Sequence, residues 1–170
     1  MYVRIGRQTP TNDLVAMLVE CHGRIRDFLN LAALIAAVSA SDDEVRSSAR
    51  RVARYFREAF PLHLADEEEI ATLLAPPAEE ALERGLRRML EEHRAHEALV
   101  ARLVQHCDAL TAAPERLVEL RDELKATLES LRPLLEEHLA EEERTVFPAL
   151  RTLPAGELAR LAESMRLRRA

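Results

Sequence analysis

The chain has 170 residues, a net charge of −6, 48% hydrophobic and 32% charged residues, and two cysteines. That length suits a single domain, expected to span 1–170, with a buried core. The acidic balance excludes a general nucleic-acid binder, the cysteine count and spacing exclude a disulfide scaffold, and no apolar run approaches the roughly 20 residues of a membrane span.

Four glycines, eight prolines and 4% aromatics, with abundant Ala, Leu, Glu and Arg, predict long helices and no sheet. A first helix starts near Thr11–Asp13, whose short polar side chains cap it. Leu14, Leu18, His22, Ile25 and Leu29 then recur at helical spacing, and the helix ends near Val38. His22 therefore falls on the buried stripe. Ser41 with Glu44 reads as a capping box that opens a second helix, running to about Leu74. Pro76 and Pro77 stop it. A third helix runs from about Ala78 to Leu110, with Leu86, Met89, His93 and Leu103 on one broad face. After a turn at Thr111–Pro114, a fourth reaches about Leu150. A short fifth spans Ala155–Leu167. Four long helices joined by short turns predict an all-α fold, an antiparallel up-down-up-down four-helix bundle with a short extra C-terminal helix. Pro61 and Pro133 fall inside the second and fourth helices, and each is expected to kink its helix shortly before a histidine. Arg166, Arg168 and Arg169 read as cations complementing the last helix's dipole.

The chain repeats itself. HLADEEE runs from His63 to Glu69 and HLAEEER from His138 to Arg144. His22 precedes His63 by 41 residues, and His93 precedes His138 by 45. Each half is thus a helix with one central histidine, a turn, and a helix carrying His-x-x-x-Glu. Residues four apart share a helix face, so His63 with Glu67, and His138 with Glu142, can converge on one ion. Asp66 and Glu141, three residues on, could substitute. Four imidazoles and two carboxylates suit iron, zinc or manganese. A lone histidine on an apolar stripe is ordinarily a hydrogen-bonded core residue. Here four helices each supply one, and burying Glu67 and Glu142 without a cation is costly. His96, three residues after His93, is either a further ligand or a packed histidine. His106 is expected at the surface, and Cys21 as a packed thiol.

The motifs ECHGRIRDFL around His22, FPLHLADEEE around His63, EEHRAHEAL around His93 and EEHLAEEERTVFPAL around His138 resemble the hemerythrin-like family, the HHE cation-binding domains, over about residues 12–150. The resemblance implies a non-haem di-iron centre, with His22, His63, His93 and His138 as iron ligands and Glu67 and Glu142 as bridging carboxylates. Oxygen carriers of the family have two histidines four apart on the third helix. Here Glu97 stands in that place, so the chain is closer to the four-histidine bacterial members. The function implied is binding or sensing of O2 or NO. The alternatives are a di-iron enzyme acting on peroxide or NO, and iron donation or iron–sulfur repair. Four imidazoles and two carboxylates do not saturate two six-coordinate ions, and open positions on a redox metal are where a diatomic or peroxide binds. A cytoplasmic monomer or weak homodimer, without nucleic-acid or membrane partners, completes the expectation.

Overall fold

The computed structural model describes residues 13–37, 41–74 and 79–170. Among the described residues there are helices and no strands: α1 (Leu14–Ala37), α2 (Asp42–Arg54), a π-helical segment (Tyr55–Ala59), α3 (Phe60–Leu74), α4 (Glu80–Ala112), a 3-10 turn (Pro114–Arg116), α5 (Leu117–Leu150) and α6 (Ala155–Leu167). The all-α bundle read from the sequence is the fold observed. α2, the π segment and α3 run on as the predicted second helix.

Local chemistry sets the ends. Asp13 Oδ1 accepts from the backbone N–H groups of Val15 at 2.9 Å and Ala16 at 3.2 Å, capping α1. At α2 the capping box is complete: the Ser41 hydroxyl accepts from Glu44 N–H, and the Glu44 carboxylate accepts from Ser41 N–H at 3.1 Å. Thr11, Val38, Pro76, Pro77 and Ala78, to which other boundaries were assigned, lie outside the described residues. The two prolines expected to kink their helices act differently. Pro61 lacks an N–H, and its ring would meet the carbonyl four residues back in a regular helix. The wide π turn just before it, in which Phe60 N–H reaches back to Tyr55 O, takes up that misfit. Pro133 sits inside α5, which stays continuous from Leu117 to Leu150.

The core is two apolar clusters with a polar layer between them. One holds Ile25, Leu29, Ile35, Val52, Phe56, Phe60, Leu103, Leu131 and Leu135 among others. The other holds Leu14, Leu18, Ile70, Leu74, Leu86, Met89, Phe147, Leu150, Leu161 and Met165 among others. α1 and α4 pass from the second cluster to the first; α2–α3 and α5 pass from the first to the second. That alternation is the up-down-up-down topology. α6 packs on α1 and α3 and closes the second cluster with Leu161, Ala162 and Met165.

Both cysteines are free and buried. Burial pushes the Cys107 thiol up to about 12, so it is expected to stay unreactive toward a disulfide reagent until the protein unfolds; labelling at the native rate of an exposed thiol would contradict that packing. Leu131 is fully buried, and Leu131→Ala is expected to cost about 2–5 kcal/mol of stability by urea denaturation.

Candidate metal centre

Eight charged or imidazole side chains are buried in the polar layer: His22, His63, Asp66, Glu67, His93, His96, His138 and Glu142. α1 supplies His22, α3 supplies His63, Asp66 and Glu67, α4 supplies His93 and His96, and α5 supplies His138 and Glu142.

Six of them form two groups. His22, His63, Glu67 and Glu142 offer ligand atoms within 4.8 Å of one another, and so do Glu67, His93, His138 and Glu142. The carboxylates belong to both. Glu67 turns Oε1 to His63 Nε2 at 2.6 Å and Oε2 to His93 Nε2 at 3.0 Å. Glu142 turns Oε2 to His22 Nε2 and Oε1 to His138 Nε2, both at 3.1 Å. The imidazoles pair edge to face on either side, His22 with His63 at 5.2 Å between centroids and His93 with His138 at 5.1 Å. Close as they are, these Nε2 and carboxylate oxygen atoms meet at angles that make no hydrogen bond. All are buried and unpartnered.

The electrostatics follow from burial at short range. Burial lowers His63, but the Glu67 carboxylate overrides it and raises the group well above its ordinary value. For Glu67 burial raises the carboxyl, and the His63 and His93 imidazoles override it downward. His138, opposed by burial, is held up at about 9 by Glu142 and Glu67. The opposite directions, upward for His63 and His138 and downward for Glu67, come from imidazole and carboxylate held close together away from water.

An outer set of carboxylates, missed by the sequence reading, orients two of the rings. Glu143 Oε1 lies 2.8 Å from His22 Nδ1 and is itself held by Arg26 Nη1 at 3.0 Å. Glu92 Oε2 lies 2.9 Å from His138 Nδ1, with Arg88 Nε 2.6 Å from its other oxygen. A carboxylate on Nδ1 keeps the proton there and leaves Nε2 free for a metal. The Arg88–Glu92 spacing of four was the available signal; the cross-helix pairing to His138 was not.

The other candidates separate cleanly. His96 is buried behind His138, ring centroids 5.1 Å apart, and joins neither group. Burial, then the neighbouring His138, pushes it down to about 4. Glu97 is exposed. His106, expected at the surface, is only 12% exposed in its side chain, with Nε2 3.2 Å from Thr127 Oγ1. Glu141 pairs with Arg144 on its own helix. Asp66 points out of the ligand cluster. Its fully buried carboxylate binds Arg168 Nη1 and Arg169 Nη2, each at 2.5 Å. Arg168 and Arg160 also bind Glu69. Of the three arginines read as dipole complements, Arg168 and Arg169 are the clamp that docks α6 on the first acidic run, whereas Arg166 lies in the last turn of α6 and pairs with Glu163.

The family model for the hemerythrin HHE cation-binding domain matches residues 13–150, and a second match covers residues 84–168. No curated protein and no solved structure matches the chain.

Removing both partners of a buried carboxylate leaves an uncompensated charge, which costs about 3–5 kcal/mol. Arg168→Ala with Arg169→Ala is expected to destabilise the protein by that order in urea, and far more than Arg166→Ala, which leaves the Asp66 partners in place. Equal effects would mean that the clamp contributes nothing.

Proposed function

The chain belongs to the hemerythrin HHE cation-binding family, and on that footing we propose that it is a non-haem di-iron protein that binds or senses O2 or NO. His22, His63, Glu67, His93, His138 and Glu142 would hold the two ions. The observation that carries this reading is the sharing of Glu67 and Glu142, each presenting one oxygen to each histidine pair. Four imidazole nitrogens and four carboxylate oxygens turn inward without a hydrogen-bond partner, a state that buried polar atoms avoid unless a cation completes them. The donor set fits iron, and also zinc or manganese.

Bound iron supplies open coordination positions and a change of oxidation state. The protein supplies the rest. Glu143 and Glu92 hold His22 and His138 with Nδ1 protonated and Nε2 inward. Glu67 and Glu142 offset part of the cationic charge. The two apolar clusters exclude water on either side of the layer, which favours a small, weakly hydrated ligand. The absence of a histidine at position 97 and the packing of His96 outside both groups support a centre less saturated in imidazole than an oxygen carrier's.

Metal analysis after anaerobic reconstitution tests the site. About two ions per chain are expected, with His63→Ala and His138→Ala losing metal and His106→Ala retaining it; a content below roughly half an ion would sink the proposal. Because the unfolded chain has no assembled site, chelation is expected to lower the melting temperature. A melting temperature indifferent to metal would break that linkage. Reduced, iron-loaded protein is expected to be oxidised by air-saturated buffer and to bind NO readily. An oxygen-dependent absorption band that lasts for hours and vanishes on degassing would restore reversible carriage. Sustained turnover of peroxide or NO would favour the enzyme instead.

A further inference from the structure

The two ligand groups of the candidate centre are braced differently. α4 and α5, which carry His93 and His138, pack directly on one another. α1 and α3, which carry His22 and His63, are bridged by α6, which packs on both. The bridge is made by charge as well as by apolar contact. One Asp66 oxygen takes Arg168 Nη1 and the other takes Arg169 Nη2, each at 2.5 Å, and this carboxylate is fully buried. Arg169 Nη2 also lies 3.9 Å from the sulfur of Cys21 on α1, the residue before His22.

Successive residues of a helix point about 100° apart, and residues three apart are neighbours on its surface. A carboxylate gripped at both oxygens therefore fixes the rotation of α3 about its axis. With it are fixed the directions of Glu67, next in sequence, and of His63, three residues back. The first ligand group, His22, His63, Glu67 and Glu142, takes two of its members from α3. A third, His22, follows the cysteine that Arg169 reaches. The second group, Glu67, His93, His138 and Glu142, takes only Glu67 from α3.

We propose that Asp66, Arg168 and Arg169 are positioning residues for one of the two metal positions, setting the affinity of the group that contains His22 and His63 and acting far less on the group that contains His93 and His138. The proposal rests on the metal reading above. It makes the two positions unequal, with the first dependent on the docking of α6.

Metal-free wild type, Arg168→Ala/Arg169→Ala, Asp66→Ala and Leu131→Ala are titrated with zinc against a chromophoric chelator, helix content being checked by circular dichroism. Nitrogen-15 signals of the histidine rings assign each binding step to its group. In both clamp variants the step read by the His22 and His63 rings is expected to weaken by about 10–100-fold, the usual effect of losing an outer-shell partner, while the His93 and His138 step changes far less. Charge alone predicts otherwise: removing two nearby cations would tighten binding of a metal ion, and removing an anion would weaken it. Weakening in both variants therefore marks positioning. Leu131 lies in the other apolar cluster, so Leu131→Ala, destabilised by packing alone, should keep both affinities. Should the double variant fail to fold without zinc, Arg169→Ala, which leaves Arg168 on Asp66, is read by the same outcomes. A first step unchanged or tightened by loss of the arginines, equal weakening of both steps, or the same selective loss in Leu131→Ala would each overturn the proposal. A wild type that takes up far fewer than two ions overturns the metal reading itself; two ions in the wild type with no selective loss in the clamp variants overturn this proposal alone.

Discussion

Two carboxylates buried in the middle of a helical bundle are the constraint on which the rest depends. Glu67 and Glu142 are 3% and 2% exposed, and neither meets a lysine or arginine among the described contacts. Their partners are imidazoles, which carry charge only when protonated or yield their Nε2 atoms to a cation. Such a layer is expensive to bury, and the fold confines it. All six side chains lie at one level, with an apolar cluster above and another below. Leu, Ile and Phe hold the helices together so that the polar layer need not. The layer is therefore free to be matched to a ligand rather than to stability.

Confinement requires positioning, and charged residues outside the layer provide it. Glu143 and Glu92 each sit beside a candidate ligand in sequence, next to Glu142 and His93, yet each binds a histidine of a different helix. The inward and outward groups of neighbouring residues are thereby coupled across helix pairs α1–α5 and α4–α5. Asp66 does the same for α3. It precedes Glu67, turns the opposite way, and is fixed by two arginines from the end of α6. The acidic run HLADEEE thus divides its labour: Glu67 faces the centre, while Asp66 and Glu69 receive α6.

This division explains what could be read from the sequence. Helical periodicity, the capping box at Ser41 and the repeat of His-x-x-x-Glu follow from local geometry, and they placed the four helices and converged His22, His63, Glu67, His93, His138 and Glu142 on one level. A spacing of four versus three distinguishes two helix faces only coarsely, so Asp66 and Glu67 were not separable until the arginines of α6 were placed. His106 was misjudged because its burial comes from Thr127 on α5, a tertiary contact that α4's own pattern does not encode. The arginines of α6 were legible as cations at a helix end; that they reach back about a hundred positions to an acidic run was not. Long-range pairing is information held by the packing, and no window along one helix contains it.

The centre is not enclosed equally on all sides. His22, His63, Glu67, His138 and Glu142 are each at most 3% exposed, whereas His93 reaches 8%. It also borders a cavity, and the wall facing it includes Phe56 of the π segment that accommodates Pro61. A regular helix there would carry a different register of side chains against α4. The wide turn therefore has two consequences from one cause: it relieves the proline, and it sets which residues line the approach to His93. Glu143 and Glu92 hold His22 and His138 from outside and the α6 arginines hold α3, so the layer is braced on the sides away from the cavity that His93 borders.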